Sequence, residues 1–131
     1  MPFLVREGDS TTTGGFVLVA SATEVIDLRR VARMGDPVWC PACKRVGFIA
    51  QGNPTWIDEQ VAVATHGHQV QCGCKPGTHS VQASQEHFQA DMEASIAIPD
   101  DMAEAARVQA EQLTLSIKDG TFNSRLFRPI A

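Results

Sequence analysis

The chain has 131 residues, enough for one modest domain, and its apolar fraction of 44% is ordinary for a globular protein. Its net charge of −4 argues against a general nucleic-acid binder held by phosphate contacts, and no run approaches the roughly 18–20 apolar residues needed to span a bilayer. The charge is uneven: residues 1–80 carry equal numbers of basic and acidic side chains, and the acidic excess lies wholly in residues 81–131.

The opening stretch, Met1 to Gly8, has no basic n-region and no apolar h-region. It predicts a chain kept in the cytoplasm, or exported by a route that needs no cleaved leader. Up to residue 80 the texture is that of strands and turns. Short apolar runs alternate with Gly, Pro, Asn and Asp, and nine of the ten glycines fall here. Strands are predicted at Val17–Val19, Val31–Ala32, Phe48–Ile49 and Val61–Ala64. From Val81 the texture changes. Val81, Phe88, Met92 and Ile96 stand near helical spacing in a stretch without Gly or Pro, which predicts a helix over 81–96. Pro99-Asp100-Asp101 opens a second, alanine-rich helix with Asp100 as its N-cap. Leu113, Leu115 and Ile117 then alternate with polar residues ahead of Asp119-Gly120, a pattern that predicts a short terminal β-hairpin. The chain thus divides into a β part, residues 1–80, and a helical acidic extension, residues 81–131.

The β part repeats itself. Val31-Ala32-Arg33-Met34-Gly35-Asp36-Pro37-Val38-Trp39-Cys40 aligns with Val63-Ala64-Thr65-His66-Gly67-His68-Gln69-Val70-Gln71-Cys72 in the pattern V-A-x-x-G-x-x-V-x-C. Upstream, Ile26-Asp27 corresponds to Ile57-Asp58 with one residue of slippage, and a weaker third copy begins at Gly8-Asp9. Self-similarity at a fixed period signals units that bury a shared core only together. Three such units predict a mainly β fold, a prism or cone with approximate three-fold pseudo-symmetry, carrying a C-terminal helical extension. Five residues after the repeat glycines stand Thr13, Cys40 and Cys72, which a three-fold axis would bring together.

All four cysteines lie in two tight pairs, Cys40/Cys43 and Cys72/Cys74. In a reducing compartment such pairs read as metal ligands before disulfides. Four thiolates close a tetrahedral Zn2+ site with no open position, so the site is structural. Cys72-Gly73-Cys74 is tighter than the common knuckle, which leaves open a set of three cysteines with His66 or His68 as the fourth ligand. Two further readings stand beside this one: free thiols acting as small buried hydrophobes, and a redox pair, although no βαβ pattern surrounds it. His79 follows a Pro-Gly turn, and His87 falls on the outside of the predicted helix. Trp39 and Trp56 read as core residues. Gly14-Gly15 lacks the following helix and lysine of a phosphate loop, and no catalytic triad or acid pair can be picked out.

These residues carry a family resemblance. Gly8-Asp9-Ser10-Thr11-Thr12-Thr13-Gly14-Gly15 is similar to the opening G-D-x-T-T-H-G-G of PAAR-repeat proteins, the tips of type VI secretion spikes. Ile26 to Asp36 resembles that family's I-N-G-K-P-V-A-R-V-G-D, and Cys40-Pro41-Ala42-Cys43 with Val63 to Gly73 completes the match, which spans roughly residues 3–77. The resemblance implies a non-enzymatic β-cone whose base docks on the trimeric spike protein (VgrG) and whose point is held by zinc. It also implies export by the secretion system itself, with residues 81–131 serving as an adaptor or linker to an effector. Thr13 stands where the family has a histidine, and Cys74 is an extra thiol. The competing reading is a zinc-ribbon-like adaptor for nucleic acid or protein. It accounts for two cysteine pairs but not for the repeat or the glycines, and the acidic charge opposes it.

Overall fold

The computed structural model describes residues 2–120. Nine short strands precede one long helix: β1 (Phe16–Val17), β2 (Val25–Ile26), β3 (Arg29–Arg30), β4 (Pro37–Cys40), β5 (Arg45–Ile49), β6 (Gln51–Asp58), β7 (Val61–Val63), β8 (Val70–Gln71), β9 (Ile96–Ala97) and α1 (Asp100–Asp119). The strands form a four-stranded antiparallel sheet in the order β1-β4-β5-β8, a β2–β3 hairpin, and a three-stranded sheet in the order β7-β6-β9. The fold is mainly β, with a C-terminal helix, as the sequence predicts. Of the predicted strands, Phe48–Ile49 lies within β5 and most of Val61–Ala64 is β7. Val17–Val19 contracts to the end of β1, and Val31 makes only an isolated bridge to Arg6.

Three turns of one construction organise these strands: Arg6-Glu7-Gly8-Asp9, Arg33-Met34-Gly35-Asp36 and Thr65-His66-Gly67-His68. The third residue of each is a glycine at φ +85°, +96° and +90° respectively, a conformation that strains any residue with a Cβ. The fourth residue donates its N–H to the carbonyl of the first at 3.0, 3.1 and 3.2 Å. Its side chain then accepts the N–H of the first, through Asp9 Oδ2 (2.8 Å), Asp36 Oδ2 (2.7 Å) and His68 Nδ1 (3.0 Å). Short polar side chains commonly close turns on their own backbone; in the third turn an imidazole nitrogen does the same work.

The residues just before the turns close a ring. Val5 N–H donates to Ala64 O (3.0 Å), Ala64 N–H to Ala32 O (2.9 Å) and Ala32 N–H to Val5 O (2.8 Å). All three residues are fully buried. A second cycle runs through Leu18→Pro37, Ala50→Gln69 and Gln82→Ser10. The main core is built from matching positions of the three copies: Val5, Ala32 and Ala64 on the ring, Val17, Ile49 and Val81 after the turns, and Val38 with Val70 between them. Each buried Val or Ile contributes about 1.5–3 kcal/mol.

Residues 81–96 are not helical. Val81 N–H donates to His68 O, Leu4 N–H to Phe88 O and Ala90 N–H to Pro2 O. The Gln85 side chain donates to Leu4 O and Phe88 O and accepts from His87 N and Phe88 N. The backbone of this segment is therefore satisfied by other parts of the chain, and Phe88, Met92 and Ile96 remain exposed. Their helical spacing carried no packing. β9 then pairs with β6 through Gln51↔Ala97 and Gly52↔Ile96.

The terminal hairpin is also overturned, as far as the described residues extend; residues 121–131 lie outside them. Leu113, Leu115 and Ile117 belong to α1, whose inner stripe is Ala106, Ala110, Leu113 and Ile117, spaced by four, three and four. Ala110, Leu113 and Ile117 of that stripe pack on Leu18, Val19, Trp39 and Val46. Pro99, rather than Asp100, holds the N-cap position; Asp100 and Asp101 sit in the first turn, where the helix dipole favours negative charge. Gly120 ends the helix in the left-handed conformation. Thr114 Oγ1 accepts the Val46 N–H at 2.9 Å and so stitches the helix to β5.

Helix and hairpin make opposite demands on Leu113 and Leu115. A strand would place both on one face, whereas in α1 the first is fully buried and the second 65% exposed. Leu113→Ala should cost about 2–5 kcal/mol of unfolding free energy, and Leu115→Ala less than about 0.5 kcal/mol. Denaturant titration of both variants checks this; equal losses would contradict the helix.

Candidate metal centre

The sheet order brings the cysteines together. β4 and β8 flank β5 and both run antiparallel to it, so they run parallel to each other and end at the same edge. Cys40 closes β4, paired with Arg45, and Cys72 follows directly after β8. A tight turn with Lys44 at φ +55° carries the chain past Cys43. On the other side Gly73 allows the closest approach of the two pairs. A Cβ there would lie 3.2 Å from Cys43 Cβ and 3.4 Å from Cys43 Sγ, so a side chain would push the pairs apart. The short Cys-Gly-Cys spacing is thus suited to a site whose other half stands this near.

The ligand atoms of Cys40, Cys43, Cys72 and Cys74 all lie within 4.8 Å of one another, and among the described residues no other His, Cys, Asp or Glu completes such a cluster. All four thiols are free. Cys40 Sγ and Cys74 Sγ are 3.5 Å apart, far from a disulfide bond and near the edge of about 3.8 Å expected for a tetrahedron with metal–sulfur bonds of 2.3 Å. The donor set therefore fits a thiophilic divalent ion.

The thiols also influence one another's protonation. Burial pushes the Cys40 thiol up, but contacts from Thr13, the Cys43 amide and the neighbouring thiols outweigh it and bring Cys40 down to about 6. Cys72 moves upward, chiefly through burial, and Cys74 upward, chiefly through its contact with Cys40. The shifts run in opposite directions across the cluster, through burial at Cys72 and through the contact with Cys40 at Cys74. A divalent cation overrides these differences by favouring the thiolate at every position.

The histidines are placed elsewhere or at the margin. His66 is exposed, and its Nδ1 accepts the Ala83 N–H at 3.0 Å. His68 is buried with its ring engaged in the third turn. His87 is exposed, on an irregular segment and not on a helix. His79, 1% exposed, lies with Nδ1 3.3 Å from Cys72 Sγ. Thr13, which the five-residue step from Gly8 singles out, does reach the centre: its hydroxyl is 3.4 Å from Cys40 Sγ. Sequence spacing alone did not single out His79, although it stands two residues before Val81 as Gly15 and Gly47 do before Val17 and Ile49. Trp39 and Trp56 pack partly buried against the core, as expected.

With this geometry established, comparison with known families gives one match. The sequence profile of the PAAR motif family covers residues 7–76, more than half of the chain, and the chain belongs to that family. No curated protein matches it. PAAR proteins are structural spike-tip proteins that associate with VgrG spikes and leave the cell through the type VI secretion system. No helix among the described residues is long and apolar enough to cross a membrane.

If the four-cysteine cluster holds its edge of the four-stranded sheet together through a metal, losing one of its thiols should be felt by the whole fold. Cys72→Ser is expected to lower the unfolding midpoint by roughly 10 °C, as for the loss of a few kcal/mol in a domain of this size. His87→Ala should leave the midpoint unchanged. Thermal melts of the two variants decide the matter, and matching midpoints would count against a structural centre.

Proposed function

We propose that this PAAR chain is a non-enzymatic spike tip. Its β part caps and sharpens a trimeric VgrG-like spike, and a Zn2+ ion held by Cys40, Cys43, Cys72 and Cys74 stiffens its point. The observation that carries this reading is the closed hydrogen-bond ring through Val5, Ala32 and Ala64. A chain that repeats one turn three times around such a ring is suited to a pseudo-three-fold cone, and a cone of that kind meets a trimer with three similar edges. Four sulfur ligands leave no open position for substrate or water, which supports a structural role over a catalytic one.

Two hairpins supply the docking elements in this reading. Their tight turns, Asp27-Leu28 and Glu59-Gln60, stand at matching places, four to five residues before Ala32 and Ala64, and all four residues have positive φ. Leu28 is 97% exposed at the tip of its turn, and Val25 and Ile57 are about half exposed beside these turns. Exposed apolar side chains clustered on hairpins point to a partner surface. Open strand edges there would pair with the spike's own strand ends.

Docking belongs in this reading to residues 1–80, and residues 81–131 act as adaptor or as the link to an effector. Val81 and Ala90 are buried against the β part, so the division is one of roles. The outer face of α1, with Val108 and Leu115 exposed among acidic residues, is the surface offered for recruitment. The protein would reside in the cytoplasm until it is exported on the spike.

Elemental analysis of the full chain purified without added metal should find about one zinc per chain, the content of a single four-ligand site. A zinc content near zero, with every thiol titratable in the folded protein, would sink the metal assignment. Docking is tested separately: Leu28→Glu should weaken capture of the cognate spike trimer roughly tenfold or more without changing the melting midpoint. Capture at parental strength would remove the hairpin tips from the interface.

A further inference from the structure

We infer that Thr13 and His79 are hydrogen-bond donors to the metal-binding sulfurs, one for each cysteine pair, and that neither binds the metal itself; the inference rests on the metal reading of the preceding section. Thr13 occupies the place that Cys40 and Cys72 hold in the other two copies, yet the cluster of four ligand atoms is complete without it. Its hydroxyl is directed at one sulfur only, Cys40 Sγ at 3.4 Å. A neutral alcohol competes poorly with thiolates for a thiophilic ion, but it is a competent donor to a thiolate already bound.

A metal-bound Cys40 thiolate has no proton to give, so the Thr13 hydroxyl must be the donor, and the surroundings of Thr13 accommodate that direction. Gly15 donates its N–H to Thr11 Oγ1 at 3.1 Å, which leaves the Thr11 proton free for Thr13 Oγ1, 3.5 Å away. Thr13 then accepts from Thr11 and turns its own proton toward Cys40. The chain of donors runs from the Gly15 amide to the sulfur.

His79 completes the arrangement on the other pair. Once Cys72 is a thiolate it has no proton to give, so its 3.3 Å contact with His79 Nδ1 is attractive only when Nδ1 carries the ring proton. Nε2 is buried and has no hydrogen-bond partner. With the proton on Nδ1 this orphan is a bare lone pair, easier to bury than an orphaned N–H. The other two copies have no room for a side chain at this place. A Cβ on Gly15 would stand 1.8 Å from Trp39 O, and one on Gly47 2.3 Å from Gln71 O. Only the third copy admits a ring here, and that ring faces a ligand sulfur.

Four thiolates around a divalent ion leave two net negative charges in a partly buried site. Donors aimed at the sulfurs spread that charge and fix the orientation of the ligands, as outer hydrogen bonds do in metal sites generally. The assignment gives Cys40 and Cys72, the first cysteine of each pair, one outer donor each.

The test uses the full chain and two probes: zinc affinity by competition with a chromophoric chelator, and the absorption of the cobalt-substituted protein, which reports the number of thiolate ligands. Thr13→Val should lower zinc affinity by about 10-fold to 100-fold, the usual cost of removing such a partner, and Thr13→Ser should restore it. His79→Phe should weaken zinc to a similar extent. All three variants should keep the four-thiolate cobalt spectrum of the parent. Unchanged affinity in Thr13→Val, or a Thr13→Ser variant as weak as Thr13→Val, overturns the inference for Thr13 even if His79→Phe fails to fold. A parent spectrum with three thiolates that changes in His79→Phe makes His79 a ligand and overturns its role as donor. A parent that binds neither zinc nor cobalt defeats the metal reading itself, an outcome distinct from a metal-binding parent indifferent to Thr13.

Discussion

The backbone ring of Val5, Ala32 and Ala64 constrains everything built on it. Each amide gives its proton to one neighbour and its carbonyl to the other, so none of the three segments can shift in register without opening two bonds inside the core. A buried amide left unpaired costs about 1–3 kcal/mol, and a one-residue slip in any strand would also turn its buried side chains outward. The turn that follows each ring residue is fixed by a positive-φ position that glycine takes without strain and by a side chain folded back on the first residue of the turn. Strand positions after the turns are therefore set by the ring, to within the reach of a few residues.

That inheritance explains why the cysteines meet. Cys40 and Cys72 hold the same place after the second and third turns, one at the end of β4 and one just beyond β8, the strands that flank β5 and end at one edge. Ring geometry alone would bring three ligands together, one per copy, and the first copy contributes Thr13, which is not a strong ligand. The chain makes up the number locally. Cys43 lies one tight turn beyond Cys40, Cys74 one glycine beyond Cys72, and Gly73 lets the two additions approach. The repeat supplies two sulfurs and the departures from the repeat supply the other two.

What was legible in the sequence follows from where chemistry singles out a residue type. The turns were readable at Gly35 and Gly67 because positive φ demands glycine and because V-A-x-x-G-x-x-V-x-C marks the same steps twice. The count of five residues from Gly8 to Thr13 held for the same reason. Val5 was not readable as a ring member, since a backbone amide serves the ring whatever side chain it carries. Residues 81–96 misled because Val81, Phe88, Met92 and Ile96 match a helical period that no surface uses. Val81 alone is buried, and the segment's amides and carbonyls are taken up by residues such as Pro2, Leu4 and His68 far away in sequence. Leu113, Leu115 and Ile117 misled in the opposite sense. Read alone they alternate like a strand, but Ala106 and Ala110 upstream complete a helical stripe, and alanine is easy to overlook in a search for large apolar residues. His79 escaped because its place two residues before Val81 acquires meaning only once Val81 is known to match Val17 and Ile49.

The helix adds an asymmetric element without disturbing the repeated ones. α1 covers Trp39 and Val46 on the outer wall of the four-stranded sheet, and its last turns stand beside the cluster, where Arg45, Gly47 and Cys72 share one groove with Thr114, Leu115 and Lys118. An appended helix is tolerated on such a scaffold when it occupies the outer wall, because the ring closes within residues 5–64 and the turns take their remaining partners from residues 81–94, ahead of the helix. The same placement gives the helix a bearing on the centre: Thr114 holds the Val46 amide, one residue from Arg45, which pairs directly with Cys40. The wall that α1 buttresses is the one whose strands β4 and β8 lead to Cys40 and Cys72, so support of the cysteine cluster and display of an outward helical face come from one packing contact.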